Sequence, residues 1–415
     1  MKKKIFSLIF LFFMAGCFDP ASSGVSDSEL LPRAGLTRAA YPNDRAENDS
    51  LAENLAEGVL LQVHPGADYQ LSFQKDGPHP SPELQLYRVI FNSDSTRYRL
   101  RQVRRLKAKE ADGRFIYSFT CEESSHTYWA ATLADASGNY YTGKVRDFLF
   151  EGKGSYSERF NLNLIVTGKY GGTADLLSVT ELAAEILSAF RTDLAPGGIR
   201  IDTIFVQNAE NHPVFGSKYS SEKPWLAGTS SKDFLVTELG GWGAPPEYDA
   251  LDLVLVHRID AESVLGNSLL FGGSLGGGRG STVVIGTHFI QGSEEFALDS
   301  KSIAHTALHE SAHFFGVRHT SATLSDLENE NDFSNNDDGL DDTPFCMLIN
   351  SFSKKNKLPS DFKIFPRIFS AQALALSCPD ENNIMFPYTI DGVESIGFSK
   401  EQLQQIRGNL SILKH

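Results

Sequence analysis

The sequence predicts an α+β protein in two parts: a small all-β sandwich, then a larger domain in which a mixed twisted sheet carries a helix at the functional centre. Three observations lead there. Residues 51–157 hold short runs rich in β-branched and aromatic side chains, separated by turn-forming residues. Beyond residue 158, apolar runs of strand length alternate with a stretch of helical periodicity. Between His309 and His319, three histidines and a glutamate stand at spacings that a helix and a sharp turn bring together. The 415 residues leave room for two or three domains.

At the N-terminus, Lys2, Lys3 and Lys4 precede an apolar run from Ile5 to Met14, the layout of a secretory signal and too short to span a bilayer comfortably. The run ends in Met14-Ala15-Gly16-Cys17, which resembles a bacterial lipobox. That resemblance implies a signal peptide over residues 1–16, cleavage before Cys17 and lipid attached to it. The alternative is a plain signal peptide with an incidental cysteine. Several acyl chains on one cysteine would anchor the protein stably where a single chain would not. Phe18 follows, not the Asp associated with retention at an inner membrane, so the expected location is the outer membrane or cell surface of a bacterial envelope. Residues 17–50 are small and polar and read as a flexible tether.

In residues 51–157 the expected strands are Val59–Val63, Tyr69–Phe73, Leu84–Phe91, Phe115–Thr120 and Thr127–Leu133, with turns at Asp112-Gly113 and Ser137-Gly138-Asn139. Their spacing suits a small sandwich with no chemistry of its own. Strand periodicity would set Arg97, Arg99 and Arg101 on one face, ahead of Arg104, Arg105, Lys107 and Lys109. Such a stripe is either a solvated strand face or a contact for anionic headgroups or polysaccharide. An exported chain with a formal net charge of -14 is not built for nucleic acid.

Residues 158–415 open with a strand at Leu162–Val166. Val179, Leu182, Ala183, Ile186, Leu187 and Phe190 then mark an amphipathic helix that stops near Pro196-Gly197-Gly198. Strands follow at Ile199–Val206 and Leu251–Val256, and the glycine-rich Gly272–Gly280 leads into another at Thr282–Ile285. No Gly-Lys-Ser/Thr follows those glycines, which excludes a phosphate loop. A further helix is capped by Asp299 or Ser300 and buries Ile303, Ala304, Ala307, Leu308, Ala312 and Phe315. On its other side His309 and His313 are four residues apart, about one turn, and can grip one metal. Gly316 tolerates the positive φ that ends a helix, so His319 can return as a third ligand. Three neutral imidazoles leave a fourth tetrahedral position open, the mark of a catalytic zinc site. Glu310, beside the ligands, suits a general base acting on bound water. His305, one turn upstream, reads as a neighbour of the ligands or a solvent-facing residue.

With these residues the chain resembles the metzincin zinc peptidases, whose signature is this motif followed by a turn containing methionine. Asn382-Asn383-Ile384-Met385-Phe386-Pro387-Tyr388 is the matching turn. His319-Thr320, Asp338-Gly339-Leu340-Asp341-Asp342-Thr343-Pro344 and Phe398-Ser399-Lys400-Glu401-Gln402 resemble the pappalysin branch, over roughly residues 160–412. The resemblance implies a metzincin-like catalytic domain, Zn2+ held by His309, His313 and His319, and a hydrophobic base at Met385 beneath them. It also implies a substrate wall running through Phe386, Pro387 and Tyr388, with Tyr388 near the oxyanion. The strand after the glycine-rich loop would be the edge that pairs with an extended protein or peptide substrate. In the branch a Tyr lies two residues after the Met, whereas Tyr388 lies three after Met385, and the insertion from Met347 to Ser377 is long.

Cys346 and Cys378 bracket that insertion, and a bridge between them would close a loop of about 33 residues worth roughly 3–4 kcal/mol in the chain-entropy model. Cys121 is left over as a buried free thiol. The resemblance further implies Ca2+ near the acidic stretch, for which Asp337, Asp338, Asp341 and Asp342 offer hard oxygen ligands; the other reading is a solvated acidic loop, and the spacing fits no EF-hand. Ser399 and Gln402 form a capping box for a last helix, expected to pack on the zinc helix. The function implied is that of a lipid-anchored zinc endopeptidase, expected to be a monomer. The rivals are a non-catalytic surface lipoprotein, an adhesin or binding module with a vestigial metal site, and a zinc hydrolase acting on another bond.

Overall fold

Alternation of buried and outward-facing residues organises the first half of the chain. The computed structural model describes residues 31, 32, 36, 39, 40 and 58–413, apart from 76, 140, 142, 156–157, 171–177, 229–237, 246, 269–273, 277–281, 322–337, 345–377 and 388–394. Cys17, Asp337, Cys346, Tyr388 and the signal segment therefore lie outside the described residues, as does most of the glycine-rich loop. Strands β1 (Leu31–Pro32), β2 (Val59–Val63), β3 (Asp68–Gln74), β4 (Glu83–Phe91), β5 (Arg97–Lys107), β6 (Lys109–Ala111), β7 (Arg114–Thr120), β8 (Thr127–Ala134) and β9 (Arg146–Gly152) form two antiparallel sheets, in the orders β1-β5-β4-β8-β2 and β6-β7-β3-β9. Every second residue turns inward: Val59, Leu61 and Val63 on β2, Tyr69, Leu71 and Phe73 on β3, Phe115, Tyr117 and Phe119 on β7. Phe119 stacks on Trp129 of the opposite sheet at 5.6 Å, which closes a sandwich core. The sequence reading missed β9, whose inward Phe148 and Phe150 are too few to announce a strand alone.

Two expectations about this half change. Within the stretch read as a tether, Leu31 and Pro32 pair with β5, and Ala39 and Ala40 are buried. The Ala40 N–H donates to Asn409 Oδ1 at 3.1 Å. Small side chains fit closely under the fold, and a two-residue strand leaves no periodic signal. The basic stripe on β5 is substantially matched by acid: Arg101 pairs with Glu123, Arg104 with Glu122 and Arg105 with Glu83.

The second half is sheet-rich α+β, with β10 (Arg159–Val166), α1 (Val179–Leu194), β11 (Arg200–Asn208), β12 (Leu226–Ala227), β13 (Ala250–Glu262), β14 (Gly266–Asn267), β15 (Thr282–Gln291), β16 (Glu294–Ala297), α2 (Ser300–Phe314) and α3 (Lys400–Leu410). The sheet order is β11-β10-β13-β15-β14, with β12 beside β13 and β16 beside β15. Pairing is parallel except where β14 and β16 meet β15, so the sheet is mixed. Both faces are covered, which is why its central strands read as continuous apolar runs. Leu162, Leu164, Leu253, Leu255, Val283 and Ile285 pack with α1 and α2. Ile165, Val254, Val256 and Val284 pack on the other side against Ala209, Tyr219 and Leu239.

Helix α3 does not pack along α2 as expected. It lies on β9 of the sandwich and under the turn that follows α2, where Gln405 Nε2 donates to Gly316 O at 2.7 Å and Asn409 Nδ2 to Phe315 O at 2.9 Å. Arg146 on β9 pairs with Glu401 and Asp341, and Ile412 sits in the sandwich core. Amides, unlike an apolar stripe, reach backbone carbonyls that no helix ladder satisfies.

Gln402 joins α3 to the strap around Met385. Its Oε1 accepts from the Ser399 N–H at 2.9 Å and from Asn383 Nδ2 at 3.0 Å, and its Nε2 donates to Asp338 Oδ2 at 3.0 Å. Asn383 Oδ1 in turn accepts from the Met385 N–H at 2.8 Å. All three side chains are buried, so breaking the chain leaves unpaired polar groups out of reach of water. Gln402→Ala should cost about 2–6 kcal/mol, from two buried groups at roughly 1–3 kcal/mol each. Denaturant melts of wild type and variant measure this, and a loss under about 0.5 kcal/mol would show that the network does not support the fold.

Candidate metal centre

One helix, one turn and one strap assemble the site. Asp299 caps α2, its carboxylate accepting from the Ser302 N–H at 2.7 Å. Ile303, Ala304, Ala307, Leu308, Ala312 and Phe314 bury one side of the helix, leaving His309 and His313 half-buried on the other. The helix ends in a Schellman turn: Val317 N–H donates to Ala312 O at 2.9 Å and Gly316 N–H to His313 O at 2.8 Å. Gly316 has φ +87°, a left-handed value that glycine adopts without strain. The reversal brings His319 back to the two helical histidines.

The three Nε2 atoms converge, with His319 Nε2 at 3.1 Å from those of both His309 and His313. Two nitrogens about 2.0–2.1 Å from a tetrahedral zinc stand roughly 3.3 Å apart, so the spacing fits. Orientation fits too. His309 Nδ1 lies 2.7 Å from Ile384 O, and His313 Nδ1 lies 2.7 Å from Val317 O. A carbonyl only accepts, so each Nδ1 carries the proton and each Nε2 presents a lone pair to the centre. His319 could donate to one of those lone pairs but not to both, and a cation between the three satisfies them all. This is the one such group of His, Cys, Asp or Glu among the described residues.

Electrostatics agree with neutral ligands. His309, Glu310, His313 and His319 are all half-buried. Burial pulls His309 and His319 well below the usual histidine range and His313 down to about 4. For the same reason the Glu310 carboxyl is pushed up to about 8, which makes it a strong base if it can be held ready. Burial also lowers His305, which stays outside the ligand group.

Met385 is fully buried in the core that α2 also packs against. Its strap contributes through backbone: Ile384 O orients His309, and Met385 O accepts from the Thr320 N–H at 3.1 Å. Of the expected substrate wall, Phe386 is buried and Pro387 half-buried. Cys378 is buried. Cys121 is buried and free, and burial raises its thiol.

One expectation is corrected here. The strand after the glycine-rich loop is not an edge: β15 has β13 on one side and β14 with β16 on the other. The outermost strand beside the site is the two-residue β14, whose Gly266 runs against Glu310. Of the four acidic residues offered for calcium, Asp338, Asp341 and Asp342 lie among the described residues, and their carboxylates have separate partners. Asp338 is buried and accepts from Thr343 Oγ1 at 2.6 Å and from Gln402; Asp341 pairs with Lys144 and Arg146; Asp342 accepts from Ser399 Oγ at 2.7 Å and the Glu401 N–H at 2.9 Å, at the start of α3. Each is already engaged by a different partner. The carbonyls of Ile384 and Val317, and Gly266, escaped the sequence reading, because a backbone acceptor has no side-chain signature and a lone glycine has many explanations.

No protein-family model matches the sequence, and no curated protein matches it. Among solved structures it is similar to metalloproteinase-II from Bacteroides fragilis, at 16% identity over 40% of this chain and 45% of that one, with a TM-score of 0.23. It is also similar to the M60 catalytic domain of Clostridium perfringens ZmpC in complex with the sialyl T antigen, at 10% identity over 62% and 47% of the two chains, TM-score 0.14. For the ZmpB metallopeptidase of Clostridium perfringens the values are 10% identity, 61% and 47%, and 0.15. The chain thus spans less than half the length of each. TM-scores this low establish no common fold, and the chemistry of the site has to speak for itself.

Glu310 makes the stability of the metal-free protein depend on pH. Its folded pKa is about 8 against 4.5 unperturbed, so between those values the folded state keeps a proton that the unfolded chain has released. Stability from this group is therefore present at low pH and lost as pH rises towards 8. Glu310→Gln removes the effect while keeping the shape. In chelator-treated protein the melting temperature of the variant should exceed that of wild type by a margin that widens from pH 5 to pH 8. A margin independent of pH would mean that Glu310 ionises normally.

Proposed function

We propose that this chain is a zinc-dependent endopeptidase of the metzincin-like, pappalysin-like kind, exported and held on a bacterial envelope through lipid on Cys17. The observation that carries the peptidase reading is the combination of three converging Nε2 atoms, two of them oriented by carbonyls, with a half-buried glutamate next in sequence to the first ligand. His309, His313 and His319 would hold the zinc. When bound, the ion would polarise the scissile carbonyl and acidify a water molecule.

The chain's own residues supply the rest. Glu310 takes the proton of the attacking water and passes it to the leaving amine nitrogen, a role that needs a carboxylate whose proton affinity lies near working pH. With β14 packed against Glu310, the partial desolvation of the site strengthens each charge interaction within it. An extended protein or peptide substrate would lie along β14 and be recognised through its backbone. A bridge from Cys346 to Cys378 would tie the long insertion to the strap that carries Ile384. A non-catalytic binding module would have no use for a base beside its ligands.

The test is direct. The chain beginning after Cys17 should bind about one zinc and cleave a denatured protein mixture. Glu310→Gln should keep the zinc and lose on the order of 10²–10⁴-fold in rate. Zinc without cleavage in either protein would sink the peptidase reading, and no zinc would sink the site. For the anchor, full-length protein expressed in a bacterium should incorporate labelled palmitate, and Cys17→Ser should abolish the label; unchanged labelling would exclude that cysteine.

A further inference from the structure

Gly266 has no conformational reason to be glycine. It is absent from the positive-φ glycines, so any residue could adopt its backbone. What it lacks is room. A Cβ placed there would sit 2.4 Å from Glu310 Cγ, 2.9 Å from Glu310 Oε1 and 2.9 Å from Thr306 Cγ2. Carbon atoms in contact stand about 3.5–4.0 Å apart, so something would have to move by roughly 1 Å.

The surroundings decide what moves. β14 cannot easily retreat, because Leu265 O accepts from the Gly286 N–H at 2.8 Å and Gly266 and Asn267 are in register with Ile285 and Val284. Thr306 cannot easily rotate, because its Oγ1 donates to Ser302 O at 2.8 Å and so fixes where Cγ2 points. Glu310 is the one partner with free torsions. A methyl group at 266 would therefore push the carboxylate out of place and leave the histidines, on their own carbonyl anchors, where they are.

We propose that Gly266 is a positioning residue for Glu310: by lacking a side chain it lets the edge strand close over the glutamate and sets where its carboxylate stands. The proposal rests on the reading of Glu310 as the general base. Two of its readouts do not depend on peptide cleavage.

The experiment is a double-mutant cycle on the exported chain, with Gly266→Ala made in wild type and in Glu310→Ala, which removes the Cγ and carboxylate that the new methyl would meet. Zinc content should be unchanged in all four proteins. In the wild-type background, Gly266→Ala should lower kcat on the order of 10²-fold, the usual result of a misplacement of about 1 Å, with KM unchanged. It should weaken acetohydroxamate, a small zinc-directed probe that a neighbouring carboxylate helps to hold, by about tenfold or more. It should also lower the melting temperature of the metal-free protein by about 2 °C or more. In the Glu310→Ala background the same substitution should leave acetohydroxamate affinity unchanged and lower the melting temperature by clearly less than in wild type, the remainder coming from the Thr306 Cγ2 contact at 2.9 Å. Equal losses in both backgrounds would make Gly266 a structural residue of β14, and no loss in either would leave it without a role; both outcomes overturn the proposal. If wild type cleaves no protein, the peptidase reading fails, while the melting and acetohydroxamate cycles still decide whether Gly266 positions Glu310.

Discussion

The site depends on two carbonyl oxygens that hold imidazole protons. An imidazole free to flip offers a metal either nitrogen, in either tautomer, and three such rings would seldom converge. Ile384 O and Val317 O remove that freedom for His309 and His313. Much of the second half of the chain is organised around putting those oxygens in place. Val317 O is where it is because the Schellman turn at Gly316 reverses the chain within one residue of the end of α2. Ile384 O is where it is because the strap around Met385 is pinned by Asn383, Gln402 and Asp338, a buried polar chain that has to be fully satisfied to be tolerated.

This places α3 in a connecting role. It carries Gln402 to the strap, Gln405 and Asn409 to the turn after α2, and Glu401 to Arg146 of the sandwich. A helix that touches the strap, the turn and a second sheet couples the geometry of the three histidines to the sandwich. The ion pairs at that junction are partly exposed and contribute little individually. The buried amide contacts and Ile412 in the sandwich core do more.

Much of the site was legible in the sequence because its spacing is local. His309, Glu310 and His313 fall within one turn of helix, and Gly316 and His319 within one reversal, so a repeat of four residues and a glycine were enough to bring them together. The cap at Asp299 and the capping box of Ser399 and Gln402 were legible for the same reason. The edge of the sheet was not. β14 is two residues long, too short for any periodicity, and the strand expected at the edge is covered by it. The acidic run from Asp338 to Asp342 was chemically suggestive, yet its carboxylates went to three separate tasks because Gln402, Arg146 and Ser399 reach them from other parts of the chain.

By itself, then, the sequence determined that His309, His313 and His319 would meet, that Glu310 would stand beside them, and which helix and turn would bring them together. It marked too the central strands β10, β13 and β15, through their apolar runs. Tertiary structure alone decided which carbonyls orient the imidazoles, which strand closes over Glu310, and that α3 would serve the sandwich as well as the site. The physical reason is distance along the chain. His309 finds its carbonyl 75 residues away, through an atom every residue possesses, and Gly266 matters for the side chain it does not have; neither leaves a pattern in the order of amino acids.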